Sequence, residues 1–230
     1  MPNPTEYPLV SIALCTYNGE KFLREQLDSL VSQTYPNIEI IAVDDCSADN
    51  TVDVLKEYAS EYQHFYCYEN EKNIGLSRNF EKAISLCKGE YIAVSDQDDI
   101  WCPNKIEFLK NQIQDELLIY AKSEMIDANG ALFREAGSGI LYSGADIRIM
   151  TLINYTWGHN VFFRRTLISL AFPLPKGTDY DWQLGLAALN FGHIRFINKT
   201  LTKHRRHSSN ATYSTHKTSK EKTKCAQSTN

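Results

Sequence analysis

The residues in this sequence best suited to chemistry are its clustered aspartates. Asp44 and Asp45 follow one apolar run, 38–43 (IEIIAV), and Asp96, Asp98 and Asp99 follow another, 91–94 (YIAV). Carboxylates brought together repel one another, and the usual relief is a hard divalent cation held by oxygen, with phosphate oxygens completing its shell. In an open parallel sheet the ligand crevice lies outside the carboxyl ends of the strands, where these residues fall. A nucleotide with magnesium or manganese is the ligand class they suggest. A single Asp at a strand end is more often a turn or a helix cap. The Asp-x-Asp-Asp cluster after an apolar strand reverses that balance. Neither Gly-x-x-x-x-Gly-Lys-Ser/Thr nor Gly-x-Gly-x-x-Gly occurs, so phosphates must be held by other means.

The elements that must position these groups follow from the hydrophobic pattern. Residues 9–14 (LVSIAL) read as a strand, then polar Thr16-Tyr17-Asn18-Gly19, then a helix with Phe22, Leu23, Leu27, Leu30 and Val31 on one face. The unit repeats with a strand at 38–43, polar caps at 47–51 and a helix carrying Val52, Leu55, Tyr58 and Ala59. A strand at 64–68, a helix at 76–87 and a strand at 91–94 complete the alternation. Alternating apolar strands and helices predict a parallel sheet covered on both faces. Beyond Trp101-Cys102-Pro103 the pattern turns mixed. It predicts a helix to about 114, strands at 118–122, 157–163 and 193–197, an Asn129-Gly130 turn, and a helix over 181–190 ended by Gly192.

Composition bounds the rest. A 26.3 kDa chain buries about 70% of its unfolded surface and needs no covalent staples. The six cysteines contain no Cys-x-x-Cys pair, which argues against a zinc ribbon, a thioredoxin motif or a secreted disulfide framework and fits a reducing cytoplasm. The opening MPNPTEYPLVSIAL has neither a basic leader nor a long apolar run, so a signal peptide is not expected. Residues 203–230 carry seven Lys and Arg against Glu221 alone, +6 net, which leaves −10 for residues 1–202. That acidic body makes nucleic acid an unsuitable partner, whereas the basic end has a weak attraction for anionic lipid. Residues 214–230 are expected to be a disordered polar tail.

Taken in order, four stretches resemble family 2 glycosyltransferases. They are Val10 through Gly19 (VSIALCTYNG), Val43 through Thr51 (VDDCSADNT), Asn73-Ile74-Gly75 with Arg78-Asn79, and Gly89-Glu90-Tyr91-Ile92 leading to Ser95-Asp96-Gln97-Asp98-Asp99-Ile100-Trp101. Each is weak alone; four in register are specific. Further on, Asp181-Trp182 and Arg205-Arg206-His207 with Asn210 resemble the bacterial cell-surface polysaccharide branch.

The resemblance implies a GT-A fold: a Rossmann-like, mostly parallel central sheet with helices on both faces and a mixed C-terminal half. It implies one domain over 1–213, with a nucleotide-sugar half (1–101) and an acceptor half (102–213). The implied activity is inverting transfer of a hexosyl-type sugar from a nucleotide-diphosphate donor, UDP being favoured. The acceptor is a glycan or lipid-linked saccharide, in the cytoplasm with a peripheral association at the inner face of the membrane. By position in the family pattern, Thr16, Tyr17, Asn18, Glu20 and Asp45 face the base and ribose. Arg78 lies near the base or phosphates, Asp96 and Gln97 belong to the Asp-x-Asp element, and Asp98 with His207 holds Mn2+ or Mg2+. Arg205 is placed to neutralise phosphate charge, and Trp157-Gly158-His159-Asn160 resembles the loop beside the sugar.

Inversion also needs a general base. Asp181 matches the family position, with Asp179 two residues earlier as the rival; either Asp is equally placed to be a simple N-cap. The chain departs from the family pattern at His204, often tyrosine, at Gln183, often tryptophan, and at Cys46, commonly glycine. Two rivals stay open: a sugar-nucleotide pyrophosphorylase, whose Gly-rich basic N-terminal loop is missing, and a non-catalytic binding protein of the same fold.

Overall fold

The computed structural model describes residues 7–134, 142–144, 146–150, 154, 156–208 and 210. Four strands, β1 (Val10–Thr16), β2 (Ile38–Asp44), β3 (Phe65–Glu69) and β4 (Tyr91–Ser95), pair in parallel in the order β3-β2-β1-β4. Between them run α1 (Glu20–Val31), α2 (Thr51–Glu61) and α3 (Leu76–Leu86). The alternation predicted for residues 9–94 is therefore observed, with boundaries moved by one or two residues. After β4 come β5 (Ile100–Trp101), α4 (Lys105–Gln112), β6 (Leu118–Ile126), β7 (Leu132–Arg134) and α5 (Ile147–Met150). They are followed by β8 (Val161–Arg164), α6 (Ile168–Ala171), α7 (Tyr180–Phe191) and β9 (Ile194–Arg205). The sheet continues β4-β8-β6-β9-β5, with β7 paired to β6. Strand β8 runs antiparallel to both β4 and β6, β9 is parallel to β6, and β5 is antiparallel to β9.

Strand alternation divides the core. Val10, Ile12 and Leu14 of β1 face α1, α2 and α4, packing with Leu23, Leu27, Leu30, Leu55 and Ile106, all fully buried. Ala13 and Cys15 point to the other face, where Phe80 and Ile84 of α3 and Leu184 and Ala188 of α7 cover them. Each such Leu or Ile contributes about 1.5–3 kcal/mol over its exposed state.

The second half departs from the pattern in four places. Strands β6 and β9 extend past 122 and 197, because their polar continuations pair with each other through Ser123↔Thr202 to Ile126↔Arg205 after a register shift. Polar residues there satisfy a neighbouring strand and so break the hydrophobic signal without ending the strand. Residues 157–160 are no strand. Trp157 leads into a 3-10 turn at Gly158–Asn160, and a Cβ on Gly158 would collide with the Tyr180 ring. The two-residue β5 carries no readable period. Gly192 does end α7, but at φ −175, extended rather than left-handed. The Asn129-Gly130 turn forms as expected, with Gly130 at φ +83 between β6 and β7. The tail, 214–230, lies outside the described residues. Among the described residues no helix is long and apolar enough to cross a membrane.

Candidate active site

Because β1, β2 and β4 are parallel neighbours, the segments after them emerge at one edge. A cleft of about 470 Å3 opens there, lined by Thr16, Tyr17, Asp45, Asp96, Gln97 and Asp98, with Asn79, His204 and Asn210. Six of the predicted site residues are thus brought together.

Asp45 is buried and held by the loop leading to α3. Its Oδ1 accepts from Asn70 Nδ2 (2.8 Å) and Ile74 N (2.8 Å), and its Oδ2 from Gly75 N (2.9 Å). Gly75 can present that N–H because φ +86 is open to glycine. Oδ2 keeps capacity for a further donor, as a nucleobase N–H would supply. The neighbouring Asp44 is structural: it accepts from Thr16 Oγ1 (2.8 Å) and Ser47 Oγ (2.6 Å), tying β1 to β2.

Five predicted residues lie outside the cleft lining, His207 and Asp181 (described below) and three that are engaged elsewhere, Asn18, Glu20 and Arg78. Asn18, at φ 47, spends its Oδ1 on Ala48 N. The Glu20 carboxylate receives Asn50 Nδ2 (2.8 Å) and joins the starts of α1 and α2. Arg78 pairs with Glu81 one turn along α3. All three serve local helix and loop contacts, which position in a motif does not reveal.

The Asp96–Asp99 segment is closed from the far end of the chain. Asp98 Oδ2 accepts from His207 Nε2 (2.8 Å) and Asn210 Nδ2 (3.1 Å). Asp99 is fully buried; its Oδ1 accepts Arg205 N and His204 Nδ1 (both 3.0 Å), while Oδ2 has no hydrogen-bond partner among the described residues. The expectation for Arg205 is corrected. Its side chain is 2% exposed and donates to the carbonyls of Asp98, Asp127 and Ala128 and to the Glu25 carboxylate, with the guanidinium over Phe22. Four of its five N–H groups are thus engaged, and its burial keeps it from a phosphate.

Sequence reasoning singled out His159 and His204 separately but not the layer they form with Lys105 next to these carboxylates. The rings of His159 and His204 stack in parallel, 4.3 Å between centroids and 4° apart. His159 Nε2 meets Ser123 Oγ at 3.1 Å, and its Nδ1 stands 4.0 Å from Asp96 Oδ2. Beside them Lys105, fully buried, donates to His159 O (2.8 Å) and Thr202 Oγ1 (2.9 Å) and sits 3.5 Å from the Trp101 ring centre. For Lys105 the signal was a lysine at a helix start, indistinguishable in sequence from a solvated one.

Electrostatics follow the burial. Asp96 is pushed up to about 8 by desolvation and by the Asp99 and Asp98 charges. Lys105 falls to about 7 through desolvation, against the pull of Asp99. Burial drives His159 well below the ordinary histidine value, helped by the positive His204. His204 is itself raised, because the Asp99 hydrogen bond and charge outweigh its own desolvation.

An accumulation of carboxylate with an orphaned buried oxygen fits a divalent cation. Ligand atoms of Asp96, Asp99, His159 and His204 lie within 4.8 Å of one another. A metal lies near the plane of an imidazole that binds it, and two parallel stacked rings cannot both point their planes at one ion. At most one of the two histidines can therefore serve a shared cation in this arrangement, whereas His207 Nε2 and Asp98 Oδ2 stand 2.8 Å apart.

Asp181 lies in the first turn of α7. Its Oδ1 accepts Trp182 N (2.7 Å) and its Oδ2 Gly158 N (3.1 Å), and burial lifts it to about 6 against those two bonds. Its charge also contributes to the upward shift of Asp96. Asp179 is the exposed N-cap residue, without a side-chain cap bond.

The fold and the acidic edge define an α/β class with a ligand crevice at its strand ends, and comparison with known proteins gives the family. The glycosyl transferase family 2 model matches residues 11–170, and the chain belongs to that family. It is 32% identical over 216 residues to an uncharacterized glycosyltransferase of Rickettsia felis, covering 87% of this chain and 35% of the relative. It is 35% identical over 100 residues, 44% of this chain and 40% of the relative, to the putative teichuronic acid biosynthesis glycosyltransferase TuaG of Bacillus subtilis. The crystal structure of S. aureus TarS residues 1–349 in complex with UDP superposes with a TM-score of 0.69 at 22% identity, covering 86% of this chain and 61% of that one. The GT-A fold is thereby established. The chain spans about a third of the first of these relatives and about three fifths of the TarS chain.

Proposed function

We propose that the chain is an inverting glycosyltransferase. It moves a sugar from a nucleotide-diphosphate donor, UDP-sugar by preference, to a hydroxyl of a glycan or lipid-linked oligosaccharide during assembly of a cell-surface polysaccharide such as O-antigen, capsule or exopolysaccharide. The observation that carries this reading is the convergence of Thr16, Asp45 and the Asp96–Asp98 element on one cleft at the carboxyl ends of β1, β2 and β4. The base-binding groups and the acidic groups then stand on neighbouring strands, as a nucleoside diphosphate requires. Binding of UDP by TarS and the teichuronic acid role given to TuaG support the donor and the surface polymer. In this reading 1–101 holds the donor and 102–213 the acceptor, peripherally at the inner face of the membrane.

Each group then has a task. Asp45 Oδ2 accepts a base N–H, and Thr16 and Tyr17 border the nucleoside. Asp98 and His207 hold a divalent cation, manganese or magnesium, which when bound neutralises charge on the leaving diphosphate. Asp181, raised to about 6 by burial, takes the acceptor hydroxyl proton as that oxygen attacks the anomeric carbon. The raised value makes it a better base than an exposed Asp while leaving it ionised at pH 7.

The deciding experiment is calorimetric titration of UDP, GDP, dTDP and CDP, with and without manganese, on the native chain and on Asp98→Ala. Metal-dependent binding of one nucleotide, lost in Asp98→Ala, is the expected result. No binding by the native chain to any of the four removes the donor-site reading.

A further inference from the structure

The residue between the two cleft aspartates turns its side chain to the opposite lip. Gln97 turns its amide onto the backbone of Tyr17, across the mouth of the cleft. Oε1 accepts Tyr17 N–H at 2.8 Å, and Nε2 donates to Tyr17 C=O at 3.1 Å. Both polar atoms of the amide are engaged with one residue of the opposite lip. The pairing imitates a rung of a β-ladder, between the ends of strands that already pair through Leu14↔Ser95. A primary amide is the side-chain group that carries a donor and an acceptor side by side. Asn would fall one methylene short, and Glu has no donor at neutral pH.

The opposite lip is shaped to receive it. Gly19 lies beside the amide, where a Cβ would stand 2.5 Å from Gln97 Cδ. Gly19 has φ −105 and ψ 3, a conformation open to any residue. Space for Gln97, not backbone freedom, is what calls for glycine there. The rest of the lip is also fastened, by Ser47 Oγ to Asn18 N and by Thr51 Oγ1 to Gly19 N (both 2.8 Å). Tyr17, half-exposed, lines the cleft on one side of the latch, and Asp96 and Asp98 stand on the other.

We propose that Gln97 is a positioning residue: a two-bond latch that holds the Tyr17 lip in register with the Asp96–Asp98 lip, so that the nucleoside side and the diphosphate side of the cleft are presented to a nucleotide as one preformed surface. The inference deepens the donor-site reading and rests on it. A latch of this kind spares the nucleotide from ordering two independent loops, and its loss weakens binding without removing any ligand contact.

Gly19 supplies an independent way to open the latch. Gly19→Ala pushes the Gln97 amide away while leaving Gln97 itself intact, and Gln97→Ala removes the amide directly. Titration of UDP with manganese should show each variant weakened about tenfold, with the Gly19→Ala/Gln97→Ala double variant no weaker than either single one, since both break the same contact. Melting temperatures should stay within about 2 °C of the native chain, because two partly exposed hydrogen bonds contribute little to global stability. Equal UDP affinity for the native chain and Gln97→Ala would overturn the latch while leaving the donor site standing. Additive losses in the double variant would also overturn it, since Gly19 and Gln97 would then act separately. A native chain that binds neither UDP nor any other nucleoside diphosphate would remove the donor site itself, and the purpose of the latch with it. Should Gly19→Ala fail to fold, Gln97→Met, which keeps length and bulk without hydrogen bonds, must reproduce the tenfold loss of Gln97→Ala.

Discussion

Asp181 carries the sharpest expectation at the scale of a single residue. Its folded value of about 6 lies above the unfolded carboxyl value, so the folded chain favours the protonated form. The stability this group contributes is therefore present at acid pH and is lost as pH rises through 6. Activity has the opposite sign, because a general base must be unprotonated: kcat/KM should climb through about pH 6 and fall tenfold per unit below it. A pH–rate profile on the native chain checks this. Asp181→Asn should lower turnover by at least a hundredfold while leaving nucleotide affinity within about twofold, read by calorimetry beside kinetics. Loss of donor binding in that variant would make Asp181 a structural support of the Gly158 turn instead. Arg205 makes a second test at this scale. Arg205→Ala leaves the carbonyls of Asp98, Asp127 and Ala128 without their buried donor, and a loss of about 3 kcal/mol in urea unfolding is expected.

Among the elements, the turn after β2 shows what a departure from the family pattern does to local structure. Cys46, where glycine is common, stands at φ 64, a left-handed conformation that is strained for a side chain with a Cβ. Cys46→Gly should stabilise the chain by about 1 kcal/mol, measured as a shift of the urea midpoint at unchanged slope. Gly89 is the reverse case. A Cβ there would stand 2.6 Å from Ser11 N, where the chain enters β4 against β1, so Gly89→Ala should destabilise by more than 2 kcal/mol. The same elements show how far the sequence could be read. Strands β1, β2 and β4 were legible because both faces are buried and the runs are mostly apolar, the buried Ser11–Glu39 pair being the interruption. Their trailing aspartates were legible because the site hangs on strand ends. The continuation of β6 and β9 was hidden, since Ser123, Glu124, Thr202 and Lys203 are satisfied by one another's strands. Arg205 was misread for a related reason: its partner Glu25 lies 180 residues away, and no local pattern marks a cation that will be buried.

Charge belongs to the whole molecule. Residues 203–230 are strongly basic and the remainder acidic, and residues 214–230 hold few apolar side chains. Removing 214–230 should leave the melting temperature within about 2 °C while reducing co-sedimentation with phosphatidylserine vesicles at low salt, an attraction that 0.5 M salt should also abolish. The closing of Asp98 by His207 and Asn210 has a temporal meaning as well. Those contacts span 109 and 112 positions, so on a growing chain the parallel half can pair its strands long before the acidic loop receives its cover. The part of the cleft lining that Asn210 supplies is complete only once that residue has been made. Until then the Asp98 carboxylate is without the two donors, His207 and Asn210, that fasten it in the finished fold.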